Sequence, residues 1–547
     1  MGWNRGRSVM LLLLAAIGCA SSRDDLRQDA LLTPAHATLN PYAAADGPAD
    51  REPTPDASPS PVRPVSFQSE EAVNKPEPLP PIEPEPVEEP PFQNAGPLEL
   101  TDVVASVYRS HPMIESAVLS RVVAAGEQFS AQGAFDLKLK GASENQPLGF
   151  YETYRQSAGF EQPLLGGANV FGGYRIGRGN FEPWYLERQT NGSGEFKAGV
   201  LVPLLQNRGI DDRRAELWRS GWARREVEPL IRSEFIAFVQ AASVAYWEWV
   251  AAGQAYRVAD DLLALAVERA AGLKRRVEAG DLPQIELTDN ERLIVSREAK
   301  QIDARRKLEQ SAIKLSLFFR DAQGRPVVPP GNLLPPVFPE ARNYARAQVL
   351  ADIQQAQQNR PELAALEFVR RQIEVDLAQA ENQLLPQLNA AVAASQDIGT
   401  PTSSKNDKGP LELQGGVFVD VPLQRRKARG KIQALEAKRG QVLAKQRFAS
   451  DKITTDVQNA AAAVAAAYER IGKTRRSVEL ARTMAEAERR KFDLGDSDLF
   501  LVNQREQQQA DAELLLVEAL LEYFQARAAY RAALGIDRVE DDAAPTR

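Results

Sequence analysis

The chain repeats one order of structural signals twice. In each copy a proline opens a helix, a segment of alternating apolar and polar residues ends at a second proline, and a long helical run ends at a Gly-Asp pair. These positions are Pro112, Pro203 and Gly280 in the first copy and Pro361, Pro422 and Gly495 in the second. An internal repeat of this kind indicates a tandem architecture. Each copy therefore predicts a helix, a β-hairpin, a long helix and a further helix.

The composition excludes several classes of function. The 547 residues carry a formal net charge of −7, so nothing indicates the basic surface that nucleic-acid binding needs. The two histidines, His36 and His111, stand far apart in the chain, and the single cysteine is Cys19. We therefore expect no metal site, no cofactor and no intrachain disulfide. Carboxylates are plentiful but form no recognisable catalytic constellation, so we expect that the protein is not an enzyme.

The first residues have the pattern of a secretory signal. Arg5 and Arg7 precede an apolar stretch that is too short to span a membrane. The segment 16–19, Ala-Ile-Gly-Cys, resembles a bacterial lipoprotein cleavage box. It predicts a signal peptide over residues 1–18 and lipidation of Cys19. An ordinary signal peptide that happens to contain a cysteine is the alternative.

Proline and glutamate dominate the segment that follows. Over residues 19–97 there is little periodicity, and proline-fixed φ together with repelling glutamates keeps such a segment extended. We expect a disordered tether between a lipid anchor and the folded body, with a docking ligand as the alternative. Residues 537–547 are expected to form a polar tail.

Strand signals stand before each long helical run. Residues 135–140 alternate strictly between apolar and charged side chains, and the expected partner strand is 196–202. In the second copy, strands are expected to begin at Leu388 and Leu411 and to pair with each other. Alternation with a period of two requires a different environment on each side of the sheet. Taken alone, a soluble hairpin with one solvated face fits this pattern as well as a membrane strand does.

The helical runs are unusually long. The first extends from about 210 to 279, with Pro229 as an expected kink, and the second extends from about 426 to 494. At 1.5 Å per residue, a run of about 70 residues is about 100 Å long. A rod of this length cannot bury its apolar stripe inside a compact domain, so it must pack along neighbouring rods. Each rod is expected to turn at its glycine into an antiparallel helix.

The doubled arrangement resembles the TolC-type outer membrane efflux proteins. The resemblance rests on three features that occur in the same order in both copies: a helix opened by Pro112 or Pro361, a strand that ends at Pro203 or Pro422, and a hairpin tip. The tips are Glu278-Ala279-Gly280-Asp281-Leu282 and Asp493-Leu494-Gly495-Asp496-Ser497. It divides the chain into a first repeat over 98–325, a linker over 326–359 and a second repeat over 360–536.

The resemblance implies a mainly helical fold with membrane strands. In this family three copies pool four strands each into one twelve-stranded β-barrel, which continues into a periplasmic α-helical barrel. A closed barrel satisfies every backbone group in lipid, whereas four strands of one chain cannot do so alone. From polarity, an apolar set of strand residues would face lipid, and a charged set would face the lumen. The lipid-facing set is Phe135, Leu137, Leu139, Val417, Val419 and Val421, and the lumen-facing set is Lys138, Lys140, Glu412 and Asp420.

The resemblance also implies partners. The protein would be a homotrimer in the bacterial outer membrane, and a periplasmic adaptor and an inner-membrane pump would dock at its hairpin tips. The barrel and an N-terminal acyl anchor would hold the trimer in the lipid. The expected tip or adaptor-contact residues are Gly280, Asp281, Leu282, Gly495, Asp496 and Ser497. A purely conformational need for glycine in a tight turn is the alternative.

Two features depart from the family pattern. Relatives carry acidic side chains that ring the periplasmic constriction, but at those positions this chain has Leu501 and Gln504. These two residues are constriction candidates, and Asp498 is a third because its carboxylate would supply the missing charge. The first hairpin is also longer than the second and rich in aromatic residues. Such an extension would plug the mouth, add strands or form an interfacial belt.

The sequence leaves three functions open. The first is a passive exit duct for small molecules, and the second is the outer-membrane channel of a type I protein secretion system. The third, of a different class, is a lipid-anchored coiled-coil scaffold without a pore, although a scaffold has no use for strands before both rods.

Overall fold

The computed structural model describes residues 96–183, 188–343, 348–403, 408 and 411–539. The predicted signal peptide, Cys19 and nearly all of the predicted tether lie outside the described residues, as does the tail from residue 540 onward. Most of the described chain is helical, with one antiparallel sheet. The mainly helical fold built from tandem repeats is therefore confirmed.

The first repeat begins with two short helices and continues with two long ones. His111 ends the first helix and caps the second, since its Nδ1 accepts a hydrogen bond from the Met113 N–H at 3.3 Å. Pro112 then occupies the first helical position, where its missing N–H costs nothing. The helices are α1 (Leu100–Ser110), α2 (Pro112–Gln132), α3 (Asp212–Glu278) and α4 (Gln284–Leu315).

The second repeat has the same four helices. They are α5 (Val349–Asn359), α6 (Pro361–Asn382), α7 (Arg426–Asp493) and α8 (Leu499–Ala533). Helix α5 precedes Pro361 as α1 precedes Pro112, so it is the equivalent of α1. The segment 326–359, predicted as a linker, thus contains the first helix of the second repeat. The two rods end within a residue or two of the predicted positions, and α3 continues through Pro229 as one helix.

Within the residues that the structure describes, the sheet has six strands, not the four per chain that the family resemblance implied. They lie in chain order, each antiparallel to the next. The strands are β1 (Lys138–Gln146), β2 (Thr153–Pro163), β3 (Asn169–Gly179), β4 (Glu195–Pro203), β5 (Gln387–Asp397) and β6 (Glu412–Asp420). Of the three roles weighed for the longer first hairpin, the structure shows added strands, β2 and β3, while Trp184 and Tyr185 lie outside the described residues.

Two further expectations about the strands were wrong. Segment 135–140 was expected to pair with 196–202, but β1 pairs with β2, and β4 pairs with β3 and β5. The alternating pattern gives the side of the sheet on which a residue lies, but it does not choose the neighbouring strand. Phe135 lies in a short 3-10 helix and Leu137 precedes the first strand residue, so neither belongs to β1. Val421 follows the last residue of β6 and lies outside that strand. The predicted pairing of β5 with β6 is confirmed.

The main core lies along the middle of the rods, where α3 and α8 meet. Trp247 stacks on Phe524 with ring centroids 4.1 Å apart, and Phe338 from the segment after α4 stacks on both. Trp249 is fully buried beside them. By composition, α3 contains one eighteen-residue stretch apolar enough to cross a membrane, with a mean hydropathy of 1.3, but 56% of that stretch is buried inside the protein.

Candidate functional site

The two helical hairpins have tips of the same length. In each hairpin five residues separate the long helix from the antiparallel helix that follows, 279–283 in the first repeat and 494–498 in the second. Gly280, Asp281, Gly495 and Asp496 are exposed, and nothing lies within 4 Å of the position a Cβ would take on either glycine. Leu282 and Ser497 are half-buried. The tip residues thus form two equivalent exposed ends.

Each tip closes its long helix with the same hydrogen bonds. The Gly280 N–H donates to the Val277 carbonyl at 3.0 Å, and the Asp281 N–H donates to the Arg276 carbonyl at 2.9 Å. In the second tip Gly495 and Asp496 make the matching bonds, to Phe492 and Lys491. This is the Schellman arrangement, in which the residue after the C-cap, here the second past the helix, is left-handed. Gly280 has φ of +81° and Gly495 has φ of +84°, so both positions require glycine for conformational reasons.

The second tip has side-chain contacts that the first lacks among the described residues. The Asp498 carboxylate accepts a hydrogen bond from the Leu501 N–H at 2.8 Å and caps α8, whereas Pro283 stands at that place before α4 and caps nothing. The Ser497 hydroxyl donates to the Glu488 carboxylate at 2.6 Å. Asp498, a predicted constriction residue, therefore has a local role in starting α8.

Leu501 and Gln504, the other predicted constriction residues, are exposed on α8. Three residues apart, they share a face of the helix. Val502 and Glu506 lie on the opposite, buried face. The structure therefore places both candidates on an accessible surface close to the tip. Whether that surface lines a constriction depends on neighbouring copies and stays a prediction.

A buried ionic cluster lies about 10 Å from the second tip, seven residues into α8. Its centre is the Glu506 carboxylate, whose side chain is 0% exposed. It receives hydrogen bonds from Arg297 at 3.1 Å, from Arg489 at 3.0 Å and from Arg269. These three arginines lie on α4, α7 and α3, so one carboxylate joins all four long helices.

The cluster has more positive than negative charge. Arg297 also donates to the Leu262 carbonyl at 2.6 Å, and Arg269 donates to Asn503 at 2.7 Å. Burial lowers the pKa of the Arg297 guanidinium, while the Glu506 carboxylate opposes that shift. Because a buried charge is tolerated only when it is paired and hydrogen-bonded, the buried Arg297 guanidinium depends on Glu506. The cluster fixes the two hairpins to each other near their tips.

The sequence contained a signal for this cluster, and it was missed. Buried positions on α8 recur at Leu499, Val502, Glu506 and Ala510, at the spacing of a packed helical stripe. A glutamate in such a stripe needs a buried cationic partner, because an unpaired buried charge is costly. The partners stand on other helices far away in sequence, so the sequence alone could not name them.

The cross-strand register divides the sheet residues into two faces. One, the charged face, contains every predicted lumen-facing residue, namely Lys138, Lys140, Glu412 and Asp420. On it Lys140 pairs with Glu161, Arg175 pairs with Glu195, and the Lys197 ammonium donates to Gln414 at 3.2 Å across β5. The other, the apolar face, carries exposed large side chains, namely Leu139, Tyr154, Phe160, Phe196, Val392, Leu413, Val417 and Val419. One sheet thus presents a charged and an apolar environment.

The part of the chain that the structure describes contains no group of three or more His, Cys, Asp or Glu side chains placed to hold a metal ion. What the arrangement provides is a two-faced sheet joined to two rods, each of which turns at an exposed tip into an antiparallel helix.

Solved structures of outer-membrane proteins share this fold. VceC from Vibrio cholerae is 13% identical with a TM-score of 0.58, and the match covers 80% of this chain and 96% of that chain. The outer membrane channel CmeC from Campylobacter jejuni is 12% identical with a TM-score of 0.55, covering 80% and 85%. The open state of the MtrE channel from Neisseria gonorrhoeae is 15% identical with a TM-score of 0.55, covering 80% and 89%. The fold is that of the TolC-like outer-membrane channels.

Residues 353–536 match the family model described as outer membrane efflux protein. The chain therefore carries an outer membrane efflux protein domain in its second repeat, and the family resemblance seen in the sequence is confirmed. The first repeat lies outside the matched residues; its four helices come in the same order as those of the second, with four strands where the second has two. No curated protein sequence matches the chain.

Proposed function

We propose that this protein is a passive exit duct of the bacterial outer membrane that exports small molecules from a tripartite efflux system. The observation that carries the proposal is the sheet with one charged and one apolar face, continuous with the two long rods α3 and α7. An apolar face of exposed aliphatic and aromatic side chains suits hydrocarbon, and a face of paired charges suits a water-filled lumen. Rods of about 100 Å suit a tube that crosses the periplasm.

The lumen and the lipid surface follow from these faces. Lys138, Lys140, Glu412 and Asp420 line the lumen, and the apolar face contacts lipid. A pore-free scaffold does not need this division, because its strands would have no second environment to face. The protein-secretion channel uses the same duct, and the choice between small molecules and proteins lies with the pump.

Partners are proposed on the same basis. Three copies assemble into the duct, and a periplasmic adaptor, itself coupled to an inner-membrane pump, docks on the exposed tips at Gly280–Leu282 and Gly495–Ser497. Lipidation of Cys19 adds an anchor in the outer membrane. The support for docking is the equivalence of the two tips, since two matched exposed ends per chain give a ring of repeated contacts.

Single-channel recording tests the duct. Purified full-length protein in planar lipid bilayers should form a conducting trimer, with stoichiometry measured by chemical crosslinking. A protein that inserts as a trimer without conducting would contradict the proposal.

Lipidation is tested separately by metabolic labelling with a radioactive fatty acid, which the wild type should incorporate and Cys19→Ala should not.

A further inference from the structure

The two edges of the six-stranded sheet are open within one chain. Strands β1 and β6 each pair with one neighbour among the described strands, and they are the most exposed strands of the sheet. In hydrocarbon each unpaired backbone group costs several kcal/mol, so only a closed barrel is stable there. Neither edge contains proline, which could not donate a backbone hydrogen bond to a neighbouring strand. The edges thus need strands from another molecule.

We propose that β1 of one protomer pairs with β6 of its neighbour, so that three copies close a barrel of eighteen strands. The partner is a second copy of this chain, and the count of eighteen follows from six strands per chain. This inference rests on the proposed trimeric duct. It replaces the twelve strands that the family resemblance implied.

The directions and positions of the two edges fit such pairing. Strand β1 leads away from α2, beginning at Lys138, and strand β6 leads toward α7, ending at Asp420. Side by side they are antiparallel, as an even-numbered barrel requires. Each has nine residues, and the gaps of five residues between β1 and α2 and between β6 and α7 are equal. The two edges therefore have equal lengths and lie equally many residues from their helices.

The side chains of the edges are also complementary. At the helix end of the charged face, β1 carries Lys138 and β6 carries Asp420, so opposite charges meet across that end of the seam. At the far end the Glu144 carboxylate of β1 is paired with Arg155 of its own chain. On the apolar face, Leu139 is 81% exposed and Val417 is 65% exposed. Pairing of β1 with β6 would make that apolar surface continuous from one protomer to the next.

The added hairpin is a full part of the sheet. Strands β2 and β3 have eleven residues each and pair over their whole length, from Thr153 opposite Gly179 to Pro163 opposite Asn169. Nine to eleven residues are what a tilted membrane strand needs. Arg213 at the start of α3 donates to the Asn169 side chain at 3.2 Å, so the turn between the two strands lies at the helix end of the sheet. The hairpin therefore spans the sheet and does not fold into its mouth.

Two extra strands per chain enlarge the barrel. Barrel diameter grows roughly linearly with strand number, so eighteen strands give a barrel about 1.5 times as wide as twelve. A barrel of sixteen to eighteen strands leaves an aqueous channel, about as wide as that of a porin.

Engineered cysteines test the seam. Ala142 and Gly416 are the middle residues of β1 and β6 and lie on the charged face. Full-length protein with Ala142→Cys is combined in turn with Gln414→Cys, Gly416→Cys and Phe418→Cys, which covers the registers one step either way. After mild oxidation of the membrane-inserted protein, at least one pair should give covalent dimers and trimers and nothing larger. The absence of crosslinks for every pair would overturn the proposal, as would a ladder that ends at another number.

Matched variants on the opposite face serve as controls. Gly415→Cys and Val417→Cys lie on the apolar face, so their combination with Ala142→Cys should give at least tenfold less crosslinked trimer. Ala142→Cys alone, which retains Cys19, should give none. Equal crosslinking from both faces would show unspecific contact and overturn the proposed register.

Electron microscopy of the purified oligomer counts the strands directly. Eighteen strands around the barrel would support the proposal, and twelve would overturn it. The two proposals fail separately: a protein that crosslinks as a closed ring of three but does not conduct would contradict the duct alone. A protein that conducts without any β1–β6 crosslink would contradict the eighteen-stranded closure alone.

Discussion

Arg297 on α4 donates a hydrogen bond to Glu506 on α8 at 3.1 Å, although the two residues belong to different repeats. Both side chains are almost completely buried, at 2% and 0% exposure. Together with Arg269 and Arg489, this pair holds the two helical hairpins to each other close to their tips. A duct whose tips dock a partner needs the hairpins at a fixed spacing, and this cluster provides a physical means of fixing it.

The first prediction concerns the carboxylate of this cluster. Glu506→Gln keeps the shape of the side chain but removes the one negative charge that three arginines share. Loss of one partner of a buried ion pair costs about 3–5 kcal/mol, because the other charge stays buried without compensation. We expect a clear fall in the thermal midpoint of the purified protein, followed by circular dichroism at 222 nm.

Glu518→Gln on the same helix is the control for that experiment. Glu518 pairs with Arg470 at 3.9 Å and its side chain is 66% exposed, so its loss should change the midpoint little. Equal effects of the two substitutions would show that burial of the Glu506 cluster contributes nothing special. Combining Glu506→Leu with Arg297→Leu should recover part of the stability, since two buried charges are then removed together.

The second prediction concerns the left-handed glycines at the tips. Gly280→Ala and Gly495→Ala should each destabilise the hairpin by about 1–2 kcal/mol, because an L-residue with positive φ brings its Cβ close to a carbonyl oxygen. Since nothing lies within 4 Å of an added Cβ, the cost is conformational and not a steric clash with a neighbour. Hydrogen exchange of the amides around each tip should become faster.

Gly272→Ala provides the opposite sign on the same rod. Gly272 lies inside α3 with no atom within 4 Å of an added Cβ, so alanine should stabilise the helix by up to about 1 kcal/mol. A protein in which alanine at 280 or 495 stabilises as it does at 272 would contradict the conformational account. Adaptor binding that is lost in the tip variants while hydrogen exchange is unchanged would instead assign the glycines a contact role.

The rods and the turns could be predicted closely from the sequence. The run predicted to end near 494 ends at Asp493, because alanine, glutamate and arginine favour helix and the Gly-Asp pair stops it. The same holds for the assignment of Lys138, Lys140, Glu412 and Asp420 to one face, since a period of two fixes the face once a strand exists.

The strand partners and the buried cluster could not be predicted. The choice of neighbour in a sheet depends on contacts between strands, and the glycine-rich segment of β3 gave little alternation from which to recognise an added strand. Arg297 and Glu506 stand 209 positions apart, so their ion pair exists only after the rods have packed. Sequence periodicity marks Glu506 as buried, but packing alone decides its partners.

The third prediction concerns pH. Burial, and then the nearby Arg320 guanidinium, lower the pKa of His111 below its ordinary value. The unfolded chain therefore binds a proton at this residue more readily than the folded chain does, and stability falls as pH falls below the ordinary histidine pKa of about 6.5. The contribution of neutral His111 to the free energy of unfolding is fully present above that pH. It is lost as pH falls through the lower pKa of the folded state.

His111→Asn isolates this effect. Asparagine keeps a side-chain acceptor for the Met113 N–H and so retains the helix cap, but it does not titrate. Between pH 7 and pH 5 the free energy of unfolding of the variant should fall less than that of the wild type, by equilibrium denaturation at each pH. Equal pH dependence of the two proteins would show that His111 carries no part of the acid sensitivity.

The fourth prediction separates two roles for Asp498. Its carboxylate caps α8 through the Leu501 N–H, and Ala at a cap position typically costs about 1 kcal/mol. Asp498→Ala should therefore destabilise the second hairpin, whereas Asp498→Asn, which keeps an oxygen acceptor without the charge, should be close to the wild type in thermal midpoint.

Block of single-channel conductance by multivalent cations provides the second readout for Asp498. A duct in which Asp498→Asn keeps its stability but loses cation block would show that the same carboxylate also supplies charge to the constriction, whereas unchanged block would restrict Asp498 to its cap.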